Sequence, residues 1–179
     1  LFETSNDADW RWTFERNLLT VVHGCKAAII VMPRQGSGHL LNITTQAARL
    51  PQTNLALTSS LQGAVVTLSE TLQAELAPLN IRVQLACVDF FDGFVSGEPR
   101  AQTPLDSARF ERMQNHGLSS DQIAARIIKG LSKKNFLILT HQEGRASWRR
   151  YRLRYETWLA LGRALAARLR PEQRLQQRK

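Results

Sequence analysis

The chain has 179 residues, 43% of them apolar, and a formal net charge of +9, which is enough length and apolar content for one domain with a real core. Its longest purely apolar run, Ala27 to Met32, falls far short of the roughly 20 residues that a membrane-spanning helix needs, and Cys25 and Cys87 have neither the spacing of a disulfide framework nor that of a zinc site. The charge is local: residues 1–140 hold 13 Lys/Arg against 12 Asp/Glu, and residues 141–179 hold 11 against 3, so the body is near neutral and the basicity belongs to the C-terminal stretch.

The opening Leu1-Phe2-Glu3 has neither the charged start nor the apolar run of a signal peptide, and reads as the interior of a longer protein in a reducing, cytoplasmic compartment. Thr4-Ser5-Asn6-Asp7 offers several helix caps, and Trp10, Phe14, Leu18, Val21, Val22 and Cys25 recur at three- and four-residue steps. This predicts a helix over about 9–32, ended by Pro33. A turn, Arg34-Gln35-Gly36-Ser37-Gly38, leads into a short apolar strand at 39–43. Leu61, Ala64, Val65, Leu68, Leu72 and Leu76 mark a second amphipathic helix over about 58–77, stopped by Pro78, and a strand follows at 82–87.

Residues 88–118 show no dominant period and read as loop, with one short helix around 107–114. Ser119-Ser120-Asp121-Gln122 has capping-box spacing and opens a helix ending near Leu131, before a third strand at 136–140. Strands alternating with helices predict parallel βαβ units, hence an α/β fold.

The glycines of Gln35-Gly36-Ser37-Gly38 do not suit a phosphate cradle, because such a loop must follow a strand and open a helix. Here the order is reversed, and a plain connecting turn is expected. No G-x-G-x-x-G or G-x-x-x-x-G-K occurs, and His23, His39, His116 and His141 lack metal-ligand spacing, so no metal site is expected.

Taken together, several segments resemble the short-chain dehydrogenase/reductases in order and at ungapped spacing. Asp9-Trp10 followed by Arg16-Asn17-Leu18 looks like the family's fourth helix with its asparagine. Gly36 to Thr45, reading GSGHLLNITT, is similar to the fifth strand, which ordinarily ends in the catalytic serine. Leu68 to Leu76 looks like the later part of the helix that carries the family's Tyr-x-x-x-Lys, and Asn80-Ile81-Arg82-Val83 resembles the entry to the sixth strand.

The resemblance implies an incomplete Rossmann-like, doubly wound parallel sheet over residues 1–140, with three strands, flanking helices and the dinucleotide-binding first half absent. It also implies an oxidoreductase using NAD or NADP. Asn17 stands at the position of the asparagine that holds a proton-relay water, and Thr45 at that of the serine that hydrogen-bonds the substrate carbonyl. Counting 13 residues on from Thr45 places the catalytic tyrosine at Thr58 and its lysine at Gln62. The Pro-Gly that follows the sixth strand and touches the nicotinamide is replaced by Val88-Asp89. In the family the tyrosine is an acid/base whose phenol is made more acidic by the lysine cation. A threonine and a neutral glutamine cannot reproduce that, and no Tyr-x-x-x-Lys exists anywhere in the chain. A catalytically inactive fragment or pseudoenzyme that does not bind the dinucleotide is the first expectation, and an oxidoreductase active only within a longer parent chain is the second.

The segment 141–179 predicts a basic amphipathic helical tail. Trp148, Tyr151, Tyr155, Trp158, Leu165 and Leu169 fall on one seven-residue frame, with arginines on the other faces. Packing against the body or a partner subunit is the plain reading; an anionic membrane surface engaged through 145–170, the mark of an interaction module, is the alternative, and no specific nucleic acid is expected. The helices at 9–32 and 58–77 resemble the pair that family members pack against a symmetry mate, so a homo-oligomer is expected.

Overall fold

A computed structural model describes residues 2, 5–48, 55–89 and 118–141. The chain enters through α1, Asp7–Phe14, whose cap is Asn6: its side-chain oxygen accepts from the Asp9 N–H at 2.9 Å. Asp7 and Asp9 place negative charge against the positive end of the helix dipole. A wider π turn, Glu15–Leu19, follows, and α2 runs over Thr20–Val31. The predicted helix over 9–32 is therefore one rod that starts earlier, at the cap that Asn6 supplies, and is interrupted around Asn17. Pro33 lies inside a short 3₁₀ turn, Met32–Gln35, closed by Gly36 at φ +74°, a left-handed conformation open to glycine. The chain then enters β1, Gly38–Thr45, so Gly36 and Gly38 serve a helix-to-strand turn as the sequence suggests.

A 3₁₀ turn, Gln46–Ala48, follows β1, and α3 spans Ala56–Leu76. A final 3₁₀ turn around Pro78 ends at Asn80 with φ +55°, and β2 runs over Ile81–Val88. The two left-handed corners hold each other, because Asn80 Nδ2 donates to the Gly36 carbonyl at 3.0 Å. The Gly38 N–H then donates to the Asn80 carbonyl at 3.2 Å, which sets the start of the strand pairing. α4, Ser120–Leu131, carries the predicted capping box, with the Ser119 hydroxyl and the Gln122 side chain each bonded to the other's backbone. β3 is Leu137–Leu139, shorter than the 136–140 expected. The short helix expected at 107–114 and the basic tail at 145–170 lie outside the described residues.

The three strands form one parallel sheet in the order β1-β2-β3, with Gly38 opposite Ile81, Thr45 opposite Val88 and Ala86 opposite Ile138. β2 is central and buried on both faces apart from Arg82, as a parallel strand covered on two sides must be. β1 is different. Leu40, Asn42 and Thr44 are buried, but His39 is exposed and Ile43 is 55% exposed. Among the described residues no strand lies on the other edge of β1, so the sheet is open there, as expected of an incomplete Rossmann-like arrangement.

The helices pack on the sheet through two apolar groups. Leu40, Leu76, Ile81 and Val83 pack with Ala28, Ile29, Met32 and Leu72 at the entry end of the strands. Val65, Leu85 and Cys87 pack with Leu18, Val21 and Leu139 toward the other end. Buried polar groups are threaded between these. Asn42 accepts from the Cys25 thiol at 3.4 Å and donates to Ser69 Oγ at 2.9 Å, which joins α2, β1 and α3.

Candidate active site

The residues singled out by the sequence gather where β1 ends, α3 begins and the π turn passes. Thr45 is the last residue of β1. Thr58 and Gln62 lie one turn apart near the start of α3, both half-buried. Val88, 4% exposed, closes β2 directly opposite Thr45 in the strand register, and Asp89 follows it. Asn17 sits in the middle of the π turn, an arrangement that recurs at functional positions of helices. Its Nδ2 donates to the Thr13 carbonyl at 3.0 Å.

Gln62 is the hub. Its Oε1 accepts from the Thr44 hydroxyl at 2.7 Å and from the Thr45 backbone N–H at 3.2 Å. Its Nε2 donates to Asn17 Oδ1 at 3.5 Å, a long and weak bond. The Thr44 hydroxyl is also 3.2 Å from the Gln62 backbone carbonyl. The orientation of the amide is fixed by its partners: the Thr45 N–H requires an acceptor, and Asn17, having turned Nδ2 to Thr13, presents an oxygen that requires a donor. Three of the singled-out residues, Asn17, Thr45 and Gln62, are thus joined by hydrogen bonds.

Thr44, 1% exposed, is the member that sequence reasoning passed over. Its signal was adjacency to Thr45 on a strand whose even-numbered residues face the helices. Two further groups were missed, Gln46 Nε2 and Ser59 Oγ. Together with Thr45 Oγ1 they are buried without a hydrogen-bond partner, and each such group costs about 1–3 kcal/mol.

What this arrangement can do chemically is limited. Asn17, Thr44, Thr45, Thr58 and Gln62 supply hydroxyls and amides, which bind and orient but do not exchange protons readily near neutral pH. A carboxylate, Asp89, follows Val88, which pairs with Thr45 in the strand register. Among the described residues no three His, Cys, Asp or Glu side chains come together as a metal site would need.

These residues do not fit the nicotinamide dinucleotide that the resemblance implies. At the position where the resemblance puts the family's cation, this chain has a carboxamide already engaged on three partners. The residue after β2 is Asp89, an acidic side chain where the resemblance puts the nicotinamide-contacting Pro-Gly.

A family model described as short chain dehydrogenase matches residues 1–103. The chain is 29% identical over 85 residues to 2,3-dihydro-2,3-dihydroxybenzoate dehydrogenase of Bacillus subtilis (strain 168), covering 48% of this chain and 33% of that protein. In structure it resembles a short chain dehydrogenase/reductase from Burkholderia phymatum, solved in complex with NAD, with a TM-score of 0.75 and 24% identity over 88% of this chain and 62% of the other. It is also similar to a short chain dehydrogenase from Burkholderia cenocepacia J2315, solved with NADP, with a TM-score of 0.71 and 16% identity over 89% of this chain and 61% of the other. The chain therefore spans a third of that curated relative and about three fifths of these solved structures. The matched family model and the parallel sheet agree, and the chain belongs to the short-chain dehydrogenase/reductase family.

Proposed function

We propose that this chain is a family member without the family's acid/base step, kept for its fold rather than for hydride transfer. The observation that carries this reading is Gln62, which the resemblance puts at the lysine position and whose carboxamide oxygen is shared between Thr44 and Thr45. A neutral group held in this way supplies no cation to acidify a neighbouring hydroxyl, and Thr58 offers only an aliphatic alcohol. Loss of one positioned acid/base group removes about 10²–10⁴ in rate, and here both halves of the pair are replaced. The dihydrodiol named for the Bacillus relative is not carried over to this chain, because the groups that would act on it are gone. The test is turnover by the full chain with NADH or NADPH and a panel of aldehydes and ketones. No rate above the uncatalysed reaction is expected, and a kcat of about 1 s⁻¹ or more, the usual enzyme range, overturns the reading.

The chain's coverage of only 62% of the Burkholderia phymatum protein favours a second reading, in which the chain is one part of a longer oxidoreductase. Restoring a glycine-rich βαβ half upstream separates the two. Turnover in the joined protein supports the second reading, and its absence supports the first.

The same helices that carry the site also suggest a partner. Trp12, Phe14, Ile30 and Val31 are between 39% and 66% exposed along the α1–α2 rod, and we infer that the rod, with α3, meets a second copy. Sedimentation at tens of micromolar should then give a dimer or larger species. Among the described residues no helix is long and apolar enough to cross a membrane. For residues 145–170 of a chain we take to be cytoplasmic, packing against the body or a partner subunit is the first reading and a seat on anionic lipid the alternative, which loss of binding to acidic vesicles on deleting 145–179 would support.

A further inference from the structure

Resting on the reading of a non-catalytic site, we propose that Gln62 is an internal latch that closes the site from within: its carboxamide oxygen caps the last amide of the open sheet edge and ties that edge to α3 and to the π turn. Successive N–H groups of a β-strand point to opposite edges. The Gly38 N–H donates toward β2, to the Asn80 carbonyl, and the register with β2 runs unbroken to Thr45. The amides of Leu40, Asn42 and Thr44 therefore face β2, while those of His39, Leu41, Ile43 and Thr45 face the open edge. Of these four, Thr45 has a hydrogen-bond acceptor, Gln62 Oε1 at 3.2 Å.

The same oxygen takes the hydroxyl of the buried Thr44 at 2.7 Å, and the Gln62 backbone carbonyl stands 3.2 Å from that hydroxyl as well. Nε2 adds the weak bond to Asn17, whose own Nδ2 is spent on Thr13. One side chain thus joins three elements that are far apart in sequence, at the edge where no further strand lies among the described residues. The geometry requires an acceptor at this position. A lysine ammonium has three donors and no acceptor, so it would leave the Thr45 N–H unpaired. Replacement of the family's lysine by glutamine is then a change of role, and restoring the lysine should harm the fold.

The experiment compares Gln62→Glu, Gln62→Lys and Gln62→Met in the full chain at pH 7, by melting temperature and by amide exchange at Thr45, with Val83 and Leu85 as internal references. Glutamate keeps the acceptor oxygens; lysine and methionine do not. A net hydrogen bond of this kind corresponds to a roughly tenfold change in exchange. The Thr45 amide should exchange about tenfold faster in the lysine and methionine variants and about as in the parent chain in the glutamate variant. The melting temperature should fall by about 2–6 °C in the first two and less in the third. Failure of the lysine and methionine variants to fold while the glutamate variant folds supports the latch. A lysine variant as stable as the parent, unchanged Thr45 exchange in the methionine variant, or failure of all three to fold overturns it. Turnover by the parent chain would remove the functional reading and leave these outcomes as they stand.

Discussion

Ser69→Ala should destabilise the protein out of proportion to the single oxygen it removes. Ser69 is fully buried, and Asn42 is 7% exposed. Asn42 Nδ2 donates to Ser69 Oγ at 2.9 Å, the Ser69 hydroxyl donates to the Val65 carbonyl at 2.7 Å, and Asn42 Oδ1 accepts the weak Cys25 thiol bond. Alanine removes the acceptor and leaves a buried amide N–H with none, a cost of about 1–3 kcal/mol. At this chain length that is roughly 2–12 °C in melting temperature. Replacing Asn42 by leucine in the same protein takes away the stranded donor, and exchanging both partners for apolar groups of similar shape can be nearly neutral. The double variant Asn42→Leu/Ser69→Ala should therefore recover about 0.5–3 kcal/mol relative to the sum of the single changes. Urea unfolding of the four proteins, read at constant slope, measures this. A Ser69→Ala change within about 0.5 kcal/mol of the parent, the range of an ordinary surface substitution, or a strictly additive double variant, would refute the idea that α2, β1 and α3 are joined by one polar unit.

Two glycines in helices should respond in opposite directions to alanine. At Gly24 a Cβ would meet nothing within 4 Å, and the gain in helix propensity should stabilise by up to about 1 kcal/mol. At Gly130 the same Cβ would lie 2.5 Å from Cγ2 of the buried Ile138, a stiff β-branched side chain. Overpacking of about 1–3 kcal/mol should then outweigh the gain, and thermal melts of Gly24→Ala and Gly130→Ala check both signs. The open edge makes its own prediction for hydrogen exchange. Leu40, Asn42 and Thr44 should be protected, and His39, Leu41 and Ile43 should exchange rapidly. Uniform protection along β1 would mean that its edge is covered.

The order of helices and strands was legible because apolar periodicity and caps are local signals: Asn6, Pro33, Pro78 and the Ser119–Gln122 box each stand within a turn of the boundary they set. The parallel sheet followed from strands alternating with helices, and Asn17, Thr45 and Gln62 were singled out by the register of the family resemblance. What the sequence did not carry is what those residues touch. The π turn leaves the three- and four-residue spacing of Trp10, Phe14, Leu18 and Val21 intact, so a widened turn at Asn17 has no signature in the pattern. Gln62 read as the loss of a cation, because its bonds to Thr44 and Thr45 span 17 or 18 residues and depend on which edge of β1 is open. β1 read as ending at Ile43 because Thr44 and Thr45 are polar, yet Thr44 is buried and pairs with Cys87. A buried threonine satisfied by a helix side chain cannot be told from a loop threonine without the helix in place.

Cofactor binding by the full chain tests the proposed function most directly, because a neutral Gln62 at the proposed lysine position and the carboxylate of Asp89 would both act against it. Titrating NADPH and NADH against the intrinsic fluorescence of the tryptophans should give no saturable quenching up to about 100 μM, a limit of about −5.5 kcal/mol in binding free energy. Saturation below that concentration, competed by the unlabelled oxidised dinucleotide, would contradict the account at its root.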